Sequence, residues 1–166
     1  MTTTLLKFAG AAATALMMAA CATGPDLEAG NGATTGTAAP TGPIPGSMAD
    51  FEKNAGNRVF FAYDQYTLSS EAQSTLSRQA AWLREYPQSA VLIAGNCDER
   101  GTREYNLALG ARRAEAARAY LVSLGVDPTR IQTVSYGKER PIDARSTQQA
   151  WALNRNATTA LTNVGS

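Results

Sequence analysis

The sequence from Met48 onward predicts a single α/β domain in which helices pack on a β-sheet. Short runs rich in β-branched and aromatic residues alternate with longer segments whose apolar residues recur at helical spacing. Glycines, prolines and capping residues separate these segments. Strands that alternate with helices are typical of βαβ units. With 166 residues, the chain is long enough for one such domain and a tail.

The first predicted strand is Arg58–Tyr63, which is β-branched and aromatic. A helix follows it. Ser70 and Gln73 have the spacing of a capping box, which marks a helix start, and Pro87 stops the helix. Between them, apolar residues recur at helical spacing, at Ala72, Leu76, Ala80 and Leu83. The second strand is predicted at Val91–Gly95.

A long helix, predicted at Arg103–Leu124, dominates the second half of the domain. Thr102 is its expected N-cap, and Gly125 ends it, with Pro128 just beyond. Three shorter elements complete the domain: a strand at Ile131–Tyr136, a helix at Ser146–Leu153 and a strand at Ala157–Thr162.

The first twenty residues have the pattern of an export signal. Lys7 precedes the apolar run Phe8–Ala20, whose thirteen residues are too few for a membrane span of about twenty. An ordinary signal peptide, cut after an Ala-x-Ala-like site, would leave Cys21 incidental. However, Met18–Cys21 resembles a bacterial lipobox, in which the cysteine is lipidated and becomes the new N-terminus. Ala22 stands where inner-membrane retention signals carry Asp, so we expect Cys21 to anchor the chain to the periplasmic face of the outer membrane.

Residues 21–47 form the expected linker between this anchor and the folded domain, 48–166. Gly, Ala, Thr and Pro dominate, and Leu27 and Ile44 are almost the only large apolar side chains. Such a segment cannot bury enough surface to offset its ordering entropy. As a coil it spans roughly 28 Å, and fully extended at most about 90 Å. We predict a flexible tether, although a spacer that merely holds the domain off the lipid is equally consistent.

Composition narrows the function. Acidic and basic residues are interspersed and nearly balanced, with a formal net charge of +1, whereas nucleic-acid binding requires a basic face. The chain has no histidine, the commonest general base and metal ligand. We therefore expect a binding protein rather than an enzyme, with no nucleic-acid partner, no metal and no cofactor.

Arg113 lies at the centre of the apolar stripe of the long helix. On a helical wheel, Leu109 and Ala117 lie about 40° to either side of it. A buried guanidinium without a partner is very costly, so we expect an anionic group to meet it. The nearest candidate is Asp98, in the loop that leads from the strand Val91–Gly95 into the same helix. In α/β sheets, ligands bind at the carboxyl ends of strands, beside helix N-termini.

Two interpretations of Asp98 and Arg113 remain open on pattern alone. A carboxylate beside a guanidinium suits a zwitterionic amino-acid centre, with Asp98 for the ammonium and Arg113 for the carboxylate. The same residues also suit an internal salt bridge between helix and sheet. A buried bridge would make the loss of one partner cost about 3–5 kcal/mol. We expect an open pocket instead, in which Asp98→Ala costs about 1 kcal/mol because water solvates the remaining charge.

The segment Gly95–Ala114 is very similar to the signature of OmpA-like peptidoglycan-binding domains. Thr75–Leu83 and Val134–Pro141 narrow the resemblance to the peptidoglycan-associated lipoproteins of that family, over about residues 58–156. The resemblance implies a βαβαβ sandwich with helices packed on a mixed four-stranded sheet. It also implies that Asp98 and Arg113, fifteen residues apart, grip the diaminopimelate residue of a peptidoglycan stem peptide.

Other assignments also come from the resemblance. It places Asp64 at the pocket, and Asn106 and Leu109 fall within the signature, where helix packing explains them equally well. Asn156 departs from the Arg that is usual in the family, which puts any role of that arginine in doubt. The resemblance further implies partners in the Tol system, notably TolB, and a role in tethering the outer membrane to the cell wall, in envelope integrity and in division.

Two possible nucleophiles have simpler explanations. Ser135 and Lys138 fit the Ser-x-x-Lys motif of penicillin-binding enzymes, but the serine ends a predicted strand, and the companion motifs of those enzymes are absent from the sequence. Cys97 stands where relatives commonly carry Ala or Thr, and a small buried cysteine packs like either. We expect neither residue to be catalytic.

Overall fold

The computed structural model describes residues 42–162. The helices are α1 (Met48–Asn54), α2 (Ser70–Glu85), α3 (Arg103–Ser123) and α4 (Gln148–Asn154), with a 3₁₀ turn at Pro128–Arg130. The strands are β1 (Arg58–Phe60), β2 (Val91–Asn96), β3 (Ile131–Gly137) and β4 (Asn156–Leu161). Within residues 42–162, none of the helices has the length and apolar character needed to cross a bilayer. Cys21, the predicted signal peptide and most of the predicted linker lie outside the described residues.

The four strands form one mixed sheet in the order β1–β4–β2–β3. β2 and β3 are parallel, with Val91 opposite Ile131, and α3 is the crossover between them. β4 runs antiparallel to both β1 and β2. The predicted architecture, helices packed on a mixed four-stranded sheet, is confirmed.

The face of α3 that meets the sheet contacts β2 through two glycines. A Cβ atom on Gly95 would lie 1.8 Å from the carbonyl oxygen of Gly110, so the two backbones are in direct contact. Ala114, Ala117 and Leu121 continue the buried face of α3. Arg113 follows Gly110 by three residues, about one helical turn, and helical side chains point back toward the N-terminus. This contact therefore directs Arg113 toward the carboxyl end of β2.

α2 and β1 begin or end at different residues from those predicted. The N-cap of α2 is Ser69, whose hydroxyl accepts a hydrogen bond from the Ala72 N–H at 3.2 Å. The capping box predicted at Ser70 and Gln73 is therefore wrong by one residue. β1 ends at Phe60 rather than at the predicted Tyr63, because the chain turns out of the sheet shortly after Phe60. That turn contains Asp64, the one non-glycine residue with a positive φ, 55°, among those described.

Other boundaries agree more closely. The other strands and α3 lie within one residue of their predicted limits, and the Thr102 hydroxyl caps α3 as predicted, by accepting from the Tyr105 N–H at 3.2 Å. α4 begins at Gln148 rather than at the predicted Ser146, because Thr147 is its N-cap. The seven-residue α1 was not predicted at all; it covers one end of the core, where Phe51 packs edge-on against Trp82.

Candidate functional site

A pocket of about 150 Å³ opens where β2 ends and α3 begins. It brings together all five residues of the folded domain that the sequence assigned to a site, although Asp64 and Arg113 are far apart in the chain. Its lining residues are Tyr63, Asp64, Cys97, Asp98, Arg100, Gly101, Tyr105, Asn106, Leu109 and Arg113. The pocket lies at the carboxyl edge of the sheet beside the N-terminus of a long helix, as predicted.

Arg113 has no exposed surface. Its guanidinium donates to three backbone carbonyls: Nε to Gln65 at 2.8 Å, Nη1 to Asn96 at 2.8 Å and Nη2 to Ala62 at 3.2 Å. The expectation that an anionic group meets Arg113 is therefore wrong, because peptide dipoles from two segments satisfy the guanidinium instead. Burial lowers the pKa of Arg113 below its ordinary value.

Asp98 is also buried, with 4% of its surface exposed, and its ion pairs are formed with other arginines. Arg100 Nη2 lies 2.7 Å from Asp98 Oδ2, and Arg155 Nη1 lies 3.3 Å from the same oxygen. Burial by itself raises the pKa of the Asp98 carboxyl, but hydrogen bonds from Arg100 and Arg155 outweigh burial and hold the pKa below its ordinary value. The sequence led us to expect Asp98 and Arg113 to form a pair in an open, water-exposed pocket. Instead both side chains are buried, and each has its own partners: arginines for Asp98 and backbone carbonyls for Arg113.

Arg100 is a second cation of the pocket that its neighbours hold in place. Its guanidinium lies over two aromatic rings, 4.2 Å from the centroid of Tyr63 and 4.3 Å from that of Trp151. The Trp151 indole is held in turn by a 2.9 Å hydrogen bond to Glu99. Stacking of a guanidinium on aromatic faces is favourable and orients it.

Sequence reasoning missed both arginines that pair with Asp98. Arg100 is two residues from Asp98 in the same loop, so an Asp-x-Arg pair was available as a signal. Arg155 lies at the end of α4, and its Nε donates to the Phe61 carbonyl at 3.0 Å. The antiparallel insertion of β4 between β1 and β2 brings Arg155 to Asp98, and no local pattern indicates this contact.

Asp64 lies at the exposed rim of the pocket. Its Oδ1 accepts a hydrogen bond from the hydroxyl of Tyr105, which raises the pKa of that tyrosine. The structure thus places a second carboxylate at the pocket, in the position that the resemblance assigned to it. Unlike Asp98, this carboxylate faces solvent.

Asn106 and Leu109 shape the pocket rather than project charge into it. The Asn106 amide donates to the carbonyls of Arg100 and Thr102, at 2.8 and 3.1 Å, and so fixes the loop before α3. Leu109 is buried and forms an apolar part of the wall.

The two possible nucleophiles are engaged in structural contacts. Ser135 Oγ donates to the Leu107 carbonyl at 2.7 Å and accepts from the Gly137 N–H. Cys97 is buried, its thiol lies 3.4 Å from the Asn106 carbonyl oxygen, and burial raises the pKa of that thiol. A raised pKa disfavours the thiolate that a nucleophile requires. Within residues 42–162, no group of three or more His, Cys, Asp or Glu side chains could hold a metal ion.

The pocket therefore contains one carboxylate and one guanidinium that are buried, and one of each that reach solvent. Asp98 and Arg113 are buried, whereas Asp64 and Arg100 reach solvent. Such an arrangement is suited to a small ligand group that carries an ammonium and a carboxylate, and the short apolar wall at Leu109 suits an aliphatic stem.

Comparison with known proteins identifies the family of the chain. The model of the OmpA family matches residues 60–155. The peptidoglycan-associated lipoprotein of Mesorhizobium japonicum is 54% identical over 122 residues, which are 74% of this chain and 73% of that protein. The corresponding protein of Rhizobium meliloti is 49% identical over 154 residues, 91% and 85% of the two chains.

Solved structures show the same relationship. The crystal structure of the peptidoglycan-associated lipoprotein from Burkholderia pseudomallei matches with a TM-score of 0.62 and 44% identity, over 63% of this chain and 89% of that one. The C-terminal domain of Helicobacter pylori MotB, only 18% identical, shares the fold with a TM-score of 0.60, over 64% and 84%. The chain belongs to the OmpA family and groups within it with the peptidoglycan-associated lipoproteins.

Proposed function

We propose that this chain binds peptidoglycan non-covalently through the pocket at the end of β2. The observation that carries the proposal is the convergence of two carboxylates and two guanidiniums, Asp64, Asp98, Arg100 and Arg113, on one pocket of amino-acid size. The name of the related lipoproteins, which describes them as associated with peptidoglycan, supports the same assignment.

The ligand group that this pocket suits best is the diaminopimelate residue of a stem peptide. Diaminopimelate carries a free ammonium and carboxylate at the end of an aliphatic chain, so it needs a site with both charges and an apolar wall. We assign the recognition of this zwitterion to a site built around Asp98 and Arg113. Asp64 contributes from the rim, Asn106 keeps the loop in shape, and Leu109 packs on the aliphatic stem.

The residues before the folded domain relate this binding to a role in the cell envelope. We propose that Cys21 carries lipid that holds the protein in the outer membrane, and that residues 21–47 tether the domain to that anchor. A single acyl chain binds a membrane only marginally, so a lasting attachment requires the several chains that a lipobox cysteine receives. The protein then links outer membrane to cell wall, with TolB and other Tol proteins as partners in envelope integrity and division.

Co-sedimentation with purified peptidoglycan sacculi tests the binding function. We expect the wild type to pellet with sacculi and Asp98→Ala to remain in the supernatant. Asp127→Ala is the matched control, because Asp127 is an exposed carboxylate that caps the 3₁₀ turn and does not line the pocket. Equal pelleting of the Asp98→Ala and Asp127→Ala variants would exclude the pocket as the binding site.

The same incubation separates a binder from a wall-cleaving enzyme. We expect no soluble muropeptides in the supernatant of the wild type, and unchanged wall binding by Ser135→Ala and Cys97→Ala. Release of muropeptides that either substitution abolishes would make the protein an enzyme. For the Tol partnership, a pull-down with purified TolB should retain the full chain.

A further inference from the structure

Strand β1 lies at an open edge of the sheet. In the order β1–β4–β2–β3 it has a neighbouring strand on one side only. The Asn57 carbonyl accepts from the Thr159 N–H at 2.7 Å. The Phe61 N–H donates to the Arg155 carbonyl at 2.9 Å. Because hydrogen-bonded and non-hydrogen-bonded pairs alternate in an antiparallel ladder, Asn57, Val59 and Phe61 direct their backbone groups toward β4.

Arg58 and Phe60 consequently direct their backbone groups to the open side of β1. They lie opposite Thr158 and Asn156, in the non-hydrogen-bonded pairs of the β1–β4 ladder. Among residues 42–162, no hydrogen bond outside that ladder reaches the backbone N–H or carbonyl of Arg58 or Phe60. These two donors and two acceptors are the groups that one further antiparallel strand would use.

The side chains of β1 leave this edge accessible. Val59 is buried on the helix side of the sheet, so Arg58 and Phe60 lie on its opposite face. Phe60 is 44% exposed. The shortness of β1 and the charge of Arg58 limit unspecific pairing at the edge. An exposed ring beside free backbone groups nevertheless provides both kinds of contact that an added strand makes.

A groove of about 70 Å³ lies between this edge and helix α2. Besides the three residues of β1, its lining residues are Ser69, Glu71, Ala72 and Thr75. The beginning of α2 therefore borders the open side of β1. A second copy of the domain would have to bring its own α2 into this space, whereas an extended peptide adds only one strand, about 4.8 Å from β1. The groove favours a peptide.

Charge and size define the peptide that fits this edge. The Arg58 Nε donates to the Thr158 hydroxyl at 3.1 Å, and the two Nη atoms of Arg58 have no acceptor among residues 42–162. An acidic side chain opposite Arg58 supplies that acceptor. An aromatic or β-branched side chain opposite Phe60 forms a favourable cross-strand pair. The residue between these two points toward the groove and has to be small.

We propose that β1 binds an extended peptide segment of a partner protein, which adds a fifth strand to the sheet antiparallel to β1. From its N- to its C-terminus, the segment carries an aromatic or β-branched residue opposite Phe60, a small residue at the groove and an acidic residue opposite Arg58. Main-chain hydrogen bonds give such binding its affinity, and alternate side chains give its specificity. The site is separate from the pocket at the end of β2, since no residue lines both.

Fluorescence anisotropy of a labelled peptide, titrated with the full chain, tests the proposal. The probe is Gly-Thr-Phe-Ser-Asp-Thr-Gly with blocked ends, whose central Phe-Ser-Asp has the required order. We expect the wild type to bind it and Phe60→Ala to bind it about two- to fivefold more weakly. Arg58→Glu should weaken binding of this probe and strengthen binding of the same peptide with Lys in place of Asp. Equal affinities of Arg58→Glu and the wild type for both peptides would contradict the pairing.

Phe60→Pro tests the contribution of the backbone. The Phe60 N–H points away from β4, so proline removes a donor to the peptide without removing a bond to β4. This variant should therefore bind the probe more weakly than Phe60→Ala does. Leu107→Ala is the matched control, because Leu107 is also a partly exposed apolar residue but lies beside β3, at the other edge of the sheet. Its affinity for the probe should equal that of the wild type.

Amide hydrogen exchange of the wild type locates the peptide without any substitution. The amides of Arg58 and Phe60 should exchange rapidly in the free protein and slowly once the probe is added, whereas the amide of Val59, already bonded to β4, should not change. A wild type that does not bind the probe, or a probe that leaves these two amides unprotected, would overturn the proposal. A dimer of the free protein that Phe60→Ala abolishes would also overturn it, because a second copy would then occupy the edge.

Discussion

Arg113 connects segments that are distant in the sequence. Its three hydrogen bonds reach the carbonyls of Ala62 and Gln65, which precede α2, and of Asn96, which ends β2. The side chain has no exposed surface, and its bond to Asn96 is buried, so water does not compete for that bond in the folded protein. Arg113 therefore stabilises the walls of the pocket.

Arg113→Ala should cost about 3–5 kcal/mol in the free energy of unfolding, because it leaves the buried Asn96 carbonyl without its donor and creates a cavity in place of a fully buried side chain. The expectation of about 1 kcal/mol for an open pocket was made for Asp98→Ala, and Arg113→Ala was expected to cost somewhat more because its aliphatic stem packs in the apolar stripe. Urea unfolding of the variant measures this cost. Arg112→Ala is the control: the Arg112 guanidinium lies 5.7 Å from the ring centroid of the partly exposed Tyr66, so its loss should cost under about 1 kcal/mol. Equal costs for the two variants would contradict the structural role of Arg113.

Asp98 should make stability depend on pH in the acid range. Its folded-state pKa lies below the value of about 3.9 expected in the unfolded chain. The stabilisation is therefore fully present above about pH 4 and is lost as the pH falls through the lowered pKa. We expect the free energy of unfolding of the wild type to exceed that of Asp98→Asn by about 2 kcal/mol near neutral pH. This value lies between those of exposed and buried ion pairs, because Arg100 remains partly solvated and Arg155 less so.

Urea unfolding of both proteins between about pH 6 and about pH 2 measures this difference, which should shrink as the pH falls. A difference that stays constant across the range would mean that ionised Asp98 does not contribute. Asp143, whose pKa Arg145 lowers to about 2, is present in both proteins and cancels in the comparison.

At the residue scale, the sequence located Arg113 and Asp98 but misassigned their partners. Helical periodicity is local, so it placed Arg113 in a buried stripe without any knowledge of the fold. The carbonyls that accept hydrogen bonds from the guanidinium lie 17 to 51 residues away in the chain. Because every residue has a backbone carbonyl, the pattern of side chains does not indicate which carbonyls these are.

At the scale of elements, the contact between α3 and β2 positions the pocket. Gly95 and Gly110 bring the two backbones together, and a Cβ atom on Gly110 would lie 2.4 Å from Ser135 Oγ. The floor of the pocket depends on this close approach, since Asp98 follows β2 and Arg113 lies on α3.

Gly95→Ala should destabilise the fold by about 3 kcal/mol or more and weaken wall binding. Its Cβ would lie 1.8 Å from the Gly110 carbonyl, so α3 must move away from the sheet, a severe case of overpacking. Thermal unfolding and sacculus co-sedimentation measure the two effects. Gly42→Ala is the control, because nothing lies within 4 Å of its Cβ position; a Gly95→Ala variant as stable as Gly42→Ala would contradict this packing.

The elements that sequence predicted best are those with strong local signals. α3 has a capping threonine, a long periodic face and Gly125, whose φ of 90° suits a residue just past a helix end. α1 was not predicted, although Ser47 caps it by accepting from the Asp50 N–H at 3.2 Å. Its seven residues are too few to show a clear helical periodicity, and tertiary contacts add support, such as the 2.9 Å hydrogen bond from the Trp82 indole to Asp50.

At the scale of the whole molecule, the proposed function requires two attachments on one chain. The pocket provides one, and the predicted lipid on Cys21 provides the other. The sequence predicted the mixed sheet through family resemblance, whereas the placement of Arg155 and Trp151 beside Asp98 and Arg100 depends on the order of strands, which no single segment specifies.

Cys21→Ser should release the protein from the outer-membrane fraction while leaving the domain folded, because a chain without acyl groups has no lasting hold on the bilayer. Membrane fractionation of cells that express the variant, followed by circular dichroism of the released protein, measures both properties. Retention of a processed and unlipidated protein in the membrane would contradict the proposed anchor.

Competition between free diaminopimelate and the cell wall tests the central claim most directly. Purified protein is sedimented with sacculi in increasing concentrations of diaminopimelate, with cadaverine and pimelate in parallel, each of which carries only one of the two kinds of charge. We predict that diaminopimelate moves the wild type into the supernatant at concentrations where the other two have no effect. Undisturbed pelleting at saturating diaminopimelate would show that the wall is not bound through a zwitterion in this pocket.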